Sequence, residues 1–185
     1  GETVRSRCMR VNFGGEADVQ LNANDAAWLK SFVGMSAEAD AGLMGRYRLL
    51  GNLMEHLAAK RDTIEEIQEE VSPLNRYADL EPVLREKLKE ELKASIEAEY
   101  RRQRGQFLTG LQWWLRDVWL AALRQGRELL HFQDWADTSE TVGQRLTPRQ
   151  ALENLQSIES TQRLLETTNV QEALALEVGL LKLKL

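Results

Sequence analysis

Cysteine occurs once, histidine twice and proline three times in 185 residues, and each scarcity excludes something. A lone thiol, Cys8, leaves no internal disulfide framework and no multi-cysteine zinc site. Arg7 beside it would favour the thiolate, but no catalytic base accompanies it, so an inert thiol is expected. The histidines, His56 and His131, stand in neither an H-E-x-x-H pattern nor the Glu-x-x-His pair of di-iron bundles. Glu55 and His56 are adjacent and point in different directions on a helix. No metal is expected. Phosphate-binding loops are missing as well, with no G-x-x-x-x-G-K-[ST], no G-x-G-x-x-G and no glycine followed by lysine. No cofactor is expected either. With only Pro73, Pro82 and Pro148 to interrupt them, helices can run long. No stretch approaches the roughly 20 apolar residues of a membrane span, so no membrane partner is expected. The first residues lack the apolar core of a secretion signal, and the reducing cytoplasm is the expected compartment.

What is present suits a single core. Hydrophobic residues make up 43 % and charged residues 29 % of the chain, ordinary values for a globular domain. Lys and Arg number 24 against 29 Asp and Glu, a net charge of −5. That balance argues against a surface that is basic overall and grips nucleic acid without specificity. Charge is nevertheless segregated. Residues 62–99 carry 12 acidic and 5 basic side chains, whereas residues 100–127 carry Arg101, Arg102, Arg104, Arg116, Arg124 and Arg127 against Asp117 alone. Two readings of the arginines stay open: a patch for phosphate or an acidic partner, or a solvated helix face paired with neighbouring glutamates. The doublets Glu65-Glu66, Glu69-Glu70 and Glu90-Glu91 read as a solvated face rather than as acid–base catalysts.

Periodicity divides the chain. Met9-Arg10-Val11-Asn12-Phe13 alternates apolar with polar and predicts a short strand closed by Gly14-Gly15. A lone strand needs neighbours, so it pairs with something distant or the chain is cut from a longer one. A start at glycine, without an initiator methionine, favours the cut. From Asn24 the period is helical. Asn24-Asp25 supplies an N-cap, Trp28, Leu29, Phe32 and Val33 come next, and Gly34 is expected to close the helix. Ser36 is expected to cap the next segment, in which Leu43, Tyr47, Leu50, Met54, Leu57, Arg61, Ile64, Gln68 and Val71 recur at alternating spacings of four and three. Residues 72–79 read as a loop. A second long helix then carries Leu84, Leu88, Leu92, Ile96 and Tyr100 and runs to Gly126, with a break expected near Gly105–Gly110. Together the two long segments predict an antiparallel helical hairpin. His131–Gly143 reads as a short helix or loop. Thr147 with Pro148 opens a helix whose Leu152, Leu155, Ile158 and Leu165 face inward. Asn169 with Glu172 makes a near capping box for a last helix that is apolar almost all round. The fold class is all-α, a helical bundle with one long hairpin and an N-terminal strand remnant.

Trp113 and Trp114 are about 100° apart on a helix and cannot both face one core. One of them therefore belongs at a boundary or an interface, where tryptophan is enriched.

Several short motifs, in a fixed order, resemble one family. Glu2-Thr3-Val4-Arg5-Ser6-Arg7-Cys8 is similar to the Ser-Arg-Cys motif of bacterial clamp-loader subunits. With the Met9–Phe13 strand it resembles the delta-prime family of DNA polymerase III more than the gamma/tau relatives. Leu111–Leu123 looks like that family's Trp-Leu-Arg-Asp helix, and Asn169–Leu181 resembles its closing helix, while residues 14–60 match poorly. The resemblance implies a division of the chain into the end of an AAA+ module (1–15), a lid remnant or linker helix (16–35) and a C-terminal helical collar domain (36–185). It implies a scaffold role in loading the sliding clamp for DNA replication, with no enzyme activity of its own. The implied partners are the other loader subunits, gamma/tau and delta, with DNA met only indirectly. Arg7 takes the place of an arginine finger acting in trans, chemistry that a planar guanidinium suits. Trp113, Trp114, Arg116, Leu180 and Leu181 are the expected interface residues. The competing reading is a freestanding helical adaptor that uses its Trp/Arg surface for another partner.

Overall fold

The computed structural model describes residues 21–38, 42–76 and 81–185. The expected strand at Met9–Phe13, the glycine pair after it, and Arg7 and Cys8 lie outside the described residues. Among those described, every regular element is helical.

The first helix, α1 (Ala23–Ala37), is capped by Asn22, whose Oδ1 accepts from the Asp25 N–H at 2.8 Å. The cap thus sits two residues earlier than Asn24. Gly34 does not close α1 either. Trp28, Leu29, Phe32, Val33 and Ser36 form one buried face at helical spacing, and burying that face carries the helix past the glycine. Ser36 is interior to α1, and its hydroxyl donates to the Phe32 carbonyl at 2.8 Å instead of capping the second helix. The expected boundary between residues 35 and 36 falls inside this helix.

Helix α2 (Leu43–Val71) buries Leu49, Leu50, Leu53, Leu57, Lys60 and Ile64. The expected stripe is covered only at its middle, because Leu43, Tyr47 and Val71 are exposed at its ends. Ser72 ends the helix in an extended conformation. Where a loop was expected, Pro73–Arg76 form a single helical turn, α3.

Helix α4 (Pro82–Ala122) runs unbroken for 41 residues, about 60 Å. The expected break at Gly105–Gly110 does not occur. Gly110 instead permits close approach, since a Cβ there would meet Leu21 Cδ2 at 2.7 Å, and packing holds the helix through both glycines. It ends in a Schellman turn, with the Gln125 N–H donating to the Leu120 carbonyl and the Arg124 N–H to that of Ala121. Arg124 occupies the left-handed position at φ 57°, usually a glycine's.

Two 3₁₀ turns, Arg127–Leu129 and Gln133–Trp135, lead into α5 (Ala136–Arg145). Helix α6 (Pro148–Thr167) starts as the sequence predicts. Thr147 accepts from the Gln150 N–H while the Gln150 side chain reaches back to the Thr147 N–H, with proline in the first turn. The last helix, α7 (Glu172–Leu181), takes Gln171 rather than Asn169 as its N-cap. The core forms around the second half of α4, where Phe107, Leu111, Trp114, Leu115 and Val118 meet Phe32 of α1, Leu53 and Leu57 of α2, Val142 of α5, Ile158 of α6 and Leu176 of α7.

Contacts between α2 and α4 run in opposite sequence directions. Gln68 accepts from Ser95, Arg61 donates to Glu97, and the His56 ring lies 4.9 Å from that of Phe107.

Candidate protein interface

Three assemblies of side chains lie at the edges of the apolar core. The first joins α1 to α2. Asp25, 3 % exposed, accepts from His56 Nε2 and Lys60 Nζ, both at 2.7 Å and both on the same oxygen. Burial alone would push the Asp25 carboxyl up, but the hydrogen bonds from His56 and Lys60 and the lysine's charge outweigh it. The carboxyl is held below its ordinary range. The His56 ring stacks on Trp28, whose indole N–H donates to the Asn52 carbonyl. This knot was not legible in the sequence, where Asp25 reads as a capping residue and His56 as isolated.

The second assembly gathers at the end of α4. Trp114 is fully buried, while its neighbour Trp113 is half-buried with the Arg116 guanidinium 5.2 Å above its ring and His131 4.8 Å away. Phe132 and Trp135 continue the row of rings. Asp117, wholly buried, accepts from the backbone N–H groups of His131 and Phe132 at 2.9 and 2.8 Å, which ties the 3₁₀ segment to α4. Here burial dominates and raises the carboxyl's pKa in spite of those bonds.

Four of the other five arginines of this stretch are held by carboxylates. Arg101 pairs with Glu97, Arg102 with Glu99, Arg104 with Glu172, and Arg127 with Asp137 and Glu140. Arg102's hydrogen bonds draw the Glu99 carboxyl down to about 2. Arg104 also lies near the Tyr100 ring, so α4 and α7 are joined through a charged and aromatic contact.

The third assembly is a surface. Helices α6 and α7 flank an open groove of about 670 Å³, with Leu164, Leu174 and Val178 at its apolar edge and the Glu153–Lys184 ion pair, 3.2 Å, at one end. Those three side chains are 40 %, 53 % and 48 % exposed. Ser157 donates to the Gly179 carbonyl at 2.9 Å, and a Cβ on Gly179 would collide with Thr161, so the two helices touch closely beneath the groove.

Of the expected interface residues, Trp114 and Leu180 lie in the chain's own core at 0 % and 1 % exposure. In this arrangement neither has surface to offer. Trp113, Arg116 and Leu181 are half-buried, with the Leu181 carbonyl accepting from Arg46 at 2.7 Å. Leu174 and Val178 were visible as surplus apolar residues on an all-round helix, whereas Leu164 carried no such signal, being one more leucine on an amphipathic helix.

Among the described residues no group of three or more His, Cys, Asp or Glu side chains converges as a metal site would need. None of their helices is long and apolar enough to cross a membrane. No family model, curated protein or solved structure matches this chain.

Proposed function

We propose that this chain is a scaffold, the helical collar segment of a clamp-loader subunit resembling the delta-prime family, with residues 43–122 as a helical hairpin inside it. The observation that carries the reading is the exposed apolar edge formed by Leu164, Leu174 and Val178 on the last two helices. Contiguous apolar surface of this kind is the mark of an interface, and obligate interfaces are correspondingly apolar. The order of the Ser-Arg-Cys, Trp-Leu-Arg-Asp and closing-helix motifs supports a loader in particular. The partners are then the gamma/tau and delta subunits, with DNA reached through them.

Replacing Leu174 and Val178 by glutamate tests this directly, because both are about half exposed and their loss should move the melting temperature by no more than about 2 °C. The double variant should fail to assemble with the other loader subunits. Unchanged assembly would remove α7 from the interface. Arg7 has a separate role in the same proposal. Arg7→Ala should leave melting unchanged and slow ATP hydrolysis at one site of the assembled loader by at least about a thousandfold, as arginine-finger losses do. Single-site turnover equal to wild type would exclude it.

A further inference from the structure

The buried ion pair that joins α1 to α2 forms part of the wall of a cavity. A pocket of about 400 Å³ lies along α2 beside the start of α1, with His56 and Lys60 at one end, a size that suits a small molecule. Lys60 is 8 % exposed. Its ammonium carries three N–H donors. One of them meets Asp25 Oδ1 at 2.7 Å, and among the described residues no second acceptor lies within hydrogen-bond distance. Asp25 is not part of the lining, and its Oδ1 is already shared with His56 Nε2. Buried donors left without acceptors are costly, so this end of the pocket is set to receive one.

The rest of the lining changes character along α2. Residues 56, 60, 63 and 67 follow one face of the helix, and from Lys60 to Ile67 the axis rises about 10 Å. Past Lys60 that face turns apolar, with Ile64 buried beneath and Ile67 55 % exposed. Asn22 and Asn24 at the start of α1 and Gln103 of α4 add polar groups without charge. None of the described lining residues is acidic, in a chain whose net charge is −5.

We propose that this pocket binds a small amphipathic anion, an aliphatic monocarboxylate whose head meets the Lys60 ammonium and whose tail lies along Ile64 and Ile67. Charge decides against a cation, which would face Lys60 with no carboxylate of the lining to meet it. The apolar end decides against a compact anion such as phosphate, which would leave Ile67 uncovered. The proposal stands apart from the collar reading, because the pocket shares no residue with the α6–α7 groove.

Three probes of the full chain test it: hexanoate, hexylamine and inorganic phosphate, each titrated while the Ile64 and Ile67 methyl signals and the His56 ring signals are followed by NMR. Hexanoate should shift these signals in a saturable way and bind at least tenfold more tightly than hexylamine or phosphate. Thr63 and Ile67 are exposed, so both can be altered without opening the core. Thr63→Glu places an anion on the wall and should weaken hexanoate at least tenfold while improving hexylamine. Ile67→Ser should weaken hexanoate several-fold, with melting unchanged in both variants. Hexylamine or phosphate binding as tightly as hexanoate, or no saturable hexanoate binding at millimolar concentration, would overturn the proposal. So would an unaltered preference in Thr63→Glu, or hexanoate shifts confined to the α6–α7 groove.

Discussion

At the scale of single residues the Asp25–His56–Lys60 knot is the most consequential feature. Removing the carboxylate leaves a lysine that is 8 % exposed without its counter-charge, and breaking a buried pair in this way costs about 3 kcal/mol or more. Asp25→Ala should therefore lower the melting temperature by several degrees. The pH dependence has a definite sign. Asp25 has a folded pKa below its unfolded value of about 3.9. Its contribution is complete above that value and is lost as pH falls through the lower, folded one. Glu97 and Glu99 act in the same direction. Asp117 opposes them, because its raised pKa makes the folded state less unfavourable as acid protonates it. Urea unfolding of wild type from pH 5 to pH 2 should show stability falling, and Asp25→Asn should show a shallower fall. Identical slopes would mean that Asp25 is not held as an anion by its neighbours.

At the scale of elements, local signals and tertiary packing divide the explanation between them. Gly34 and Gly51 sit inside helices, and a Cβ at either would meet nothing within 4 Å. Alanine at each should stabilise the chain by up to about 1 kcal/mol, from helix propensity and a less disordered unfolded state. At a chain of this size that is a rise of about 2–4 °C. Gly143 should behave oppositely, because a Cβ there would press on Ala121 Cβ at 2.8 Å and on the Ala122 nitrogen at 2.9 Å. Scanning calorimetry of the three alanine variants checks both signs. What could be read from the sequence obeys the same division. Thr147 and Pro148 announce α6 because capping is decided within four residues, and the structure adds Gln150 to the same cap. The stripe of α2 announces its buried middle for a similar reason. The continuity of α4 across Gly105 and Gly110 could not be read, since it rests on neighbours far away in sequence, Leu21 among them. The same holds for Asp25, whose partners lie 31 and 35 positions on and whose role no spacing rule encodes. Trp113 and Trp114 fall between these cases. Helical geometry shows that they part company, and only packing decides that Trp114 goes inward.

At the scale of the whole molecule, charge and apolar surface are arranged at separate places. The core around the second half of α4 is closed, the arginines nearby are mostly bound to carboxylates, and apolar side chains stay exposed at α6–α7. In the scaffold proposed above, that surface is where another protein would be held. The collar reading adds a particular set of partners and a ring as the product. Native mass spectrometry of the purified chain mixed with clamp-loader gamma/tau and delta subunits from the same source tests that reading most directly. The account predicts one copy of this chain in a stoichiometric complex, lost when Leu174 and Val178 are glutamate. A chain that stays alone at micromolar concentrations of every partner, while its wild-type fold is intact by circular dichroism, would contradict it.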